Sequence, residues 1–443
     1  MAQATTAHAN GFEDTLKELE VPAEFAEYET TENADVIVRL EEWRRKAYVV
    51  LDELRTQLAA KQDTLTLEER ADVISTAAQF DGEGFWVLDT TTELAREILN
   101  TYNISDIILV ERVLSHHIKP IFQKNPHPDV NPETGRKSTR SAAQLDYYEG
   151  QEWKRYPGIL NVLSWCVRHI EGTNYERLWH LVIPPAMTLL DDYEARYKIP
   201  GVRVISEMLD RVPPELLRRT GIDGLILASL QGCFTSLRKP ETPTLLRLTI
   251  PTCVKLVEAT TAPKSAQRFE QLCAVLGDGI IGSVWFYSTS EPESLAATLD
   301  MLPTVVRALG LGVARYLKAM IPQLTYPLVT APDNTTSTSV QLASAKALRV
   351  VIAVCAPRMQ RWKGDILNGV CRCWVTLVES GASDNLPAQK EKLELRNILR
   401  EVCQDLAHAC PSVVQDEFTR LSTAKPSLFS ALVGPLGKES EDG

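Results

Sequence analysis

The chain has 443 residues, 44% hydrophobic and 24% charged, enough apolar material for one large or two ordinary folded domains. Its 47 lysines and arginines stand against 58 aspartates and glutamates, a formal charge of −11. That balance argues against a nucleic-acid-binding surface, because phosphate neutralisation needs dense basic charge.

In chain order, residues 1–35 come first. The opening MAQATTAHAN holds no apolar stretch, so no signal peptide is expected. Between Glu13 and Asp35 nine acidic residues face the single basic residue Lys17, and large apolar groups are few. Such a segment repels itself and is expected to be a flexible arm, with at most a short helix from Phe12 to Leu19. Residues 36–122 then read as an N-terminal helical region, since long segments with helical period begin at Val36. From 123 to 150 the chain is rich in Pro, Asn, Ser and charge (KNPHPDVNPETGRKSTRS) and reads as a flexible insertion.

Residues 151–433 read as HEAT-like repeats, and 434–443 (ending GKESEDG) as a disordered tail. Val202, Ile205, Leu209 and Val212 recur at steps of three and four. So do Leu342, Ala345, Leu348, Ile352 and Cys355; Ile366, Val370, Trp374 and Leu377; and Leu395, Ile398 or Leu399, Val402 and Leu406. Each set puts an apolar stripe on one side of a helix. Prolines at 213, 214, 240, 243, 263, 292, 332 and 387 separate them, and the nearest approach to a strand is Ser283-Val284-Trp285-Phe286-Tyr287. The fold class is therefore all-α, an α-solenoid of stacked antiparallel helix pairs. An internal repeat supports it. Ile183-Pro184 and Ile321-Pro322 each sit in an apolar helix, about three HEAT units of 40–47 residues apart, and an amphipathic helix follows each. In the first unit Asp191 and Asp192 end a helix and Arg196 and Lys198 open the next. Structural roles follow: an Asp accepting from free N–H groups at a helix start, and Lys198 neutralising it.

Chemistry-bearing motifs are thin. Gly277-Asp278-Gly279-Ile280-Ile281-Gly282 matches GxGxxG, but a helix and no strand precedes it, so a helix end and turn is expected. His116-His117 and Cys166/His169 lack the further ligands that zinc needs, and Cys371 and Cys373 face opposite sides of a helix. GxSxG and HExxH are absent, and Asp191-Asp192 should diverge as helix-end residues do. No enzyme activity, cofactor or metal is expected. The nine cysteines (166, 233, 253, 273, 355, 371, 373, 403, 410) form no CxxC pair and sit in apolar surroundings. Reduced, buried thiols of a cytoplasmic or nuclear protein are expected, and no run of eighteen apolar residues spells a membrane span. Trp165 and Trp374 lie in apolar stripes and read as core. Trp179, beside His180 at a helix start, reads either as core or as an exposed partner anchor.

A family resemblance rests on particular residues. Trp153-Lys154-Arg155-Tyr156-Pro157-Gly158-Ile159 leads into Val162-Leu163-Ser164-Trp165-Cys166. Ile183-Pro184-Pro185 is followed by Leu189-Leu190-Asp191-Asp192-Tyr193, then Lys198 with Gly201 and Val202. Leu216-Leu217-Arg218-Arg219-Thr220-Gly221-Ile222 adds a leucine-rich Thr-Gly motif, and Leu309-Gly310, Tyr316-Leu317-Lys318 and Ile321-Pro322-Gln323-Leu324 follow. Over residues 150–330 the chain resembles the Tti-two family, subunits of the TTT (Tel-Tti-Tti) co-chaperone complex. The resemblance implies a scaffold that binds the larger Tti-one subunit and the Tel-two subunit, and supports Hsp-ninety-dependent maturation of phosphatidylinositol-3-kinase-related kinases. It implies structural or partner-binding roles for Trp165, Trp179, Pro184, Pro185, Asp191, Asp192, Lys198, Thr220, Gly221 and Pro322. The residues alone also admit a HEAT-type adaptor of transport or membrane-coat assembly and, more remotely, a hydrolase of unrecognised motif.

Overall fold

Helix boundaries fall where the sequence supplies caps and breakers. Thr66 and Glu69 form a reciprocal capping box, Asp106 accepts from the Ile108 N–H at 3.1 Å, and Ser265 accepts from the Arg268 N–H at 3.1 Å. A computed structural model describes residues 12–61, 64–102, 106–138, 147, 150–287, 291–329, 338–379 and 386–434, and divides the chain into two units, 1–229 and 230–443. The division falls within a helix, not in the 123–150 segment.

The first unit comprises α1 (residues 12–18), α2 (Ala34–Lys61), α3 (Leu67–Ala78), α4 (Asp89–Leu99) and α5 (Ile107–Val113), which widens into a π turn (Leu114–Ile118) before α6 (Lys119–Phe122). After the loop come α7 (Ile159–His169), α8 (Tyr175–Leu190), α9 (Ala195–Leu209), α10 (Pro214–Thr220) and α11 (Ile222–Gly232), whose last turn crosses into the next unit. Neighbours pack in sequence, α3 on α4 and α5, α7 and α8 on α9.

The second unit holds α12 (Thr242–Thr260) and α13 (Ala266–Cys273), which continues as a π-helix (Ala274–Trp285). Then follow α14 (Pro292–Leu309), a 3-10 turn (Gly310–Tyr316), α15 (Leu317–Val329) and α16 (Thr338–Val354). A second 3-10 turn (Ala356–Arg361) leads to α17 (Lys363–Glu379), α18 (Leu386–Ala409), a π turn (Val414–Phe418), α19 (Thr419–Ala424) and α20 (Pro426–Val433). Helices α12, α14, α16 and α18 lie side by side in one layer; α15 and α17 pair in the other. The only β pairing among the described residues is a single bridge, Val130 with Lys137. The chain is an all-α solenoid.

The stripes read from sequence form the core. Leu395, Leu399, Val402 and Leu406 of α18 are wholly buried, as are Leu348 and Ile352 of α16; Val351 and, from α14, Leu299, Leu302, Val305 and Val306, which belong to none of those stripes, are buried with them. Each such side chain contributes about 1.5–3 kcal/mol. Helix-interior prolines (184, 185, 200, 251, 303, 322, 327) each remove a backbone hydrogen bond. That burial offsets the loss. Pro292–Val329 has the length and hydropathy of a membrane span, but it is two helices around Gly310 (φ +56°), with Leu299, Leu302, Leu317 and Ile321 buried among neighbours.

Three expectations are corrected. The acidic segment is not a free arm from residue 12 onward: Phe12, Leu19, Val21 and Phe25 are buried, and the Phe25 ring meets Trp43 at 5.5 Å and Trp86 at 6.3 Å. Few apolar groups suffice because these four turn inward while the carboxylates face out. The loop from 123 to 138 is folded rather than flexible, as described below. The GxGxxG glycines neither end a helix nor form a phosphate loop; they lie inside the π-helix of α13, where a Cβ on Gly279 would stand 2.8 Å from Phe234. Residues 1–11, 139–146, 148–149 and 435–443, covering the rest of the arm, insertion and tail expectations, lie outside the described residues.

Candidate interaction site

The motif residues gather around the turn between α8 and α9 and the loop that docks beside it. Asp191 ends α8 and Asp192 follows in the turn; their carboxylates diverge. Asp191 reaches His127 at 2.9 Å. The Asp129 N–H donates to His127 Nδ1 at 3.1 Å, so the ring carries its proton on Nε2 and donates it to Asp191. Asp192 is fully buried. One oxygen accepts from the Glu194 N–H at 2.8 Å, and Lys154 Nζ lies 2.9 Å from the other.

Lys154 is the hub. Its ammonium also pairs with Glu194 at 2.9 Å and sits 4.5 Å from the ring centroids of both Tyr193 and Tyr197. Burial disfavours the Lys154 charge, but the hydrogen bonds it donates to Asp192 and Glu194 outweigh that and hold the pKa above the ordinary lysine value. Beneath it the Trp153 ring, 1% exposed, stacks on Phe122 and meets Tyr197 edge-on at 4.9 Å. Arg196 pairs with Glu194 at 2.6 Å and donates to the Ala26 carbonyl at 3.0 Å, which ties the N-terminal segment to the same turn.

Lys198 does not neutralise an aspartate as expected. Its Nζ donates to the Leu190 carbonyl at 3.3 Å and so caps the end of α8. Lys154, from a separate segment, takes the expected role, because burial of Asp192 demands a cation that reaches inward. Gly201 brings α9 close against α8: a Cβ there would lie 2.6 Å from the Leu190 nitrogen.

The loop is held from within and from below. Asn131 Oδ1 accepts from the Glu133 and Thr134 N–H groups, and the Ser138 N–H donates to the Asp129 carbonyl at 2.7 Å. Below it, the Lys137 N–H donates to the Thr220 carbonyl at 3.0 Å. Thr220 Oγ1 donates to the Leu216 carbonyl at 2.7 Å, and Gly221 ends α10 at φ +72°, a left-handed position suited to glycine. Gly135 (φ +63°) lies on Trp179, where a Cβ would stand 2.8 Å from the indole.

Trp179 is 3% exposed, so the exposed-anchor reading is corrected: the loop covers the surface it would have used. Pro184 is half-buried and Pro185 buried within α8. Trp165 stands apart in α7, buried with its ring centroid 4.3 Å from that of His169 in a tilted pair, and Pro322 belongs to the second unit, exposed on α15. Sequence reasoning named Trp179, Asp191, Thr220 and Gly221 but missed their shared partner, His127 to Lys137. The Pro126-His127-Pro128 context disguised a buried histidine as loop filler.

The Tti2 family pattern matches residues 73–336. The chain belongs to the Tti2 family. It therefore carries that family's general role as a subunit of the TTT complex. The match starts within α3, well before the resemblance visible at residue 150, so α4, α5 and α6 belong to the family pattern too. In this Tti2-family chain Asp191, Asp192, Trp179, Thr220 and Gly221 hold the α8–α9 turn and the 127–138 loop together. Asp72, Ser75 and His117 do share one concavity of about 400 Å³ in the first unit. His117 Nε2 lies 3.0 Å from Asp72, and no hydrogen bond joins His117 to Ser75.

Proposed function

We propose that this chain is a non-catalytic scaffold subunit of the TTT complex, binding the larger Tti-one subunit with Tel-two completing the assembly. In that role it supports Hsp-ninety-dependent maturation and stability of phosphatidylinositol-3-kinase-related kinases, in the cytoplasm and nucleus. No nucleic acid and no membrane take part. The observation that carries the reading is the family match over residues 73–336 on a stacked helical architecture. The motif residues support it: their side chains lock the α8–α9 turn and the 127–138 loop, which fixes a rigid face for a partner. A stable contact of this kind buries on the order of 1,200–2,000 Å² or more.

Pull-down of the tagged full chain from cells with quantitative mass spectrometry tests it. Enrichment of Tti-one and Tel-two is expected. Their absence, or enrichment of vesicle-coat or nuclear-pore proteins instead, overturns the reading. Adding purified Tti-one should also raise the melting temperature of the chain, whose uncovered faces otherwise favour aggregation.

A further inference from the structure

The second unit carries a basic groove that takes no part in the clamps described above. Arg315 and Lys318, at the entrance to α15, and Arg358 and Arg361, just before α17, line one concavity of about 680 Å³, with Pro357 and Trp362 in its wall. All four cationic side chains are exposed. Several cations elsewhere in the same unit are neutralised, Arg247 by Asp300, Lys346 by Glu394, Arg349 by Glu401 and Asp405, and Lys363 by Glu417, and Arg268, Arg396 and Arg400 donate to backbone carbonyls. Among the described residues none of the groove's four cations has a carboxylate partner. Arg315 contacts only the Cys273 sulfur at 4.0 Å and the rings of Phe269 and Tyr316, while Arg361 lies over Trp362 at 5.4 Å. In a chain of net charge −11 an uncompensated basic cluster is unexpected.

The repeat geometry explains the alignment. Each pair is spaced i, i+3, and each begins in a 3-10 turn (Gly310–Tyr316 or Ala356–Arg361) that leads into one of two helices packed side by side, α15 and α17. Stacking of equivalent turns sets the two basic pairs along one edge. Packed helix axes lie roughly 8–10 Å apart, which extended chain spans in about three residues.

We propose that this groove binds an acidic peptide segment of a partner protein, extended across the two turns, with carboxylates on the four cations and an apolar side chain against Trp362. A compact anion would use the charges but leave the Trp362 and Pro357 wall uncovered; a peptide fills both. The inference deepens the scaffold reading and rests on it, since the ligand is a protein segment, but its test needs neither Tti-one nor Tel-two.

Fluorescence anisotropy of the full chain with a dye-labelled Glu-Glu-Phe-Glu-Glu peptide decides it. Saturable binding is expected, weakening by about tenfold between low and high salt and by about tenfold in Arg358→Glu/Arg361→Glu. Arg420→Glu, outside the groove, should bind as the parent does. Arg315→Gln/Lys318→Gln, a gentler change at the other turn, should also weaken binding, and circular dichroism melts verify that each variant is folded. Binding no tighter than that of the Gln-Gln-Phe-Gln-Gln peptide, or unaltered by both folded groove variants, overturns the proposal. So does binding of inositol hexakisphosphate in the absence of peptide binding. Recovery of Tti-one and Tel-two by the Arg358→Glu/Arg361→Glu chain would separate loss of this groove from failure of the scaffold reading.

Discussion

Lys154 and Asp192 show how a single contact carries the motif turn. Asp192 has no exposure, so its carboxylate has no water as an alternative partner to Lys154. Replacing Lys154 with Met leaves a buried carboxylate uncompensated and should cost about 3–5 kcal/mol in denaturant unfolding. Adding Asp192→Asn to that variant should restore part of the loss; no recovery would mean that packing on Tyr193 and Tyr197, and not the charge, accounts for it. His169 gives a pH dependence. Burial, the largest influence, lowers its pKa below the ordinary histidine value against the opposing Trp165 carbonyl. As pH falls through the ordinary histidine range, the unfolded chain therefore takes up a proton before the folded one does. Stability is intact above that range and declines below it. Melting temperatures from pH 7.5 to about 5 should fall more steeply for the parent chain than for His169→Gln.

At the scale of elements, close approach of helices is set by small residues at fixed places. Gly201→Val would drive a side chain into the Leu190 backbone and force α8 from α9, and should destabilise by about 2–3 kcal/mol in chemical denaturation. The docked loop is equally testable. His127→Ala removes the donor to Asp191 and should expose 127–138 to limited proteolysis, where the parent loop resists cleavage. An unchanged digestion pattern would show that the Lys137–Thr220 bond and the Gly135–Trp179 contact suffice. The helices were legible because their apolar stripes are strictly periodic. The loop was not. Its anchors are a histidine and backbone groups whose partners, Asp191 and Thr220, lie 64 and 83 residues further along, and no local pattern announces such pairs.

Over the whole molecule, the nine cysteines give a global check. All are free; eight are buried, and only Cys371 is partly accessible, with burial pushing its thiol up to about 11. A thiol reagent near pH 8 should modify the native chain slowly, starting at Cys371, and all nine once denaturant is added. Rapid native reaction at several sites would mean that the stacked layers open in solution. The sequence by itself determined the all-α class and the stripes that become the core, because these depend on neighbours three or four residues away. Only the tertiary structure decided that the acidic segment packs, that Trp179 lies beneath a loop, that Lys154 answers Asp192 and that four basic side chains share one groove. Each joins residues from separate segments, and the free energy of such a contact exists only once the chain has brought them together.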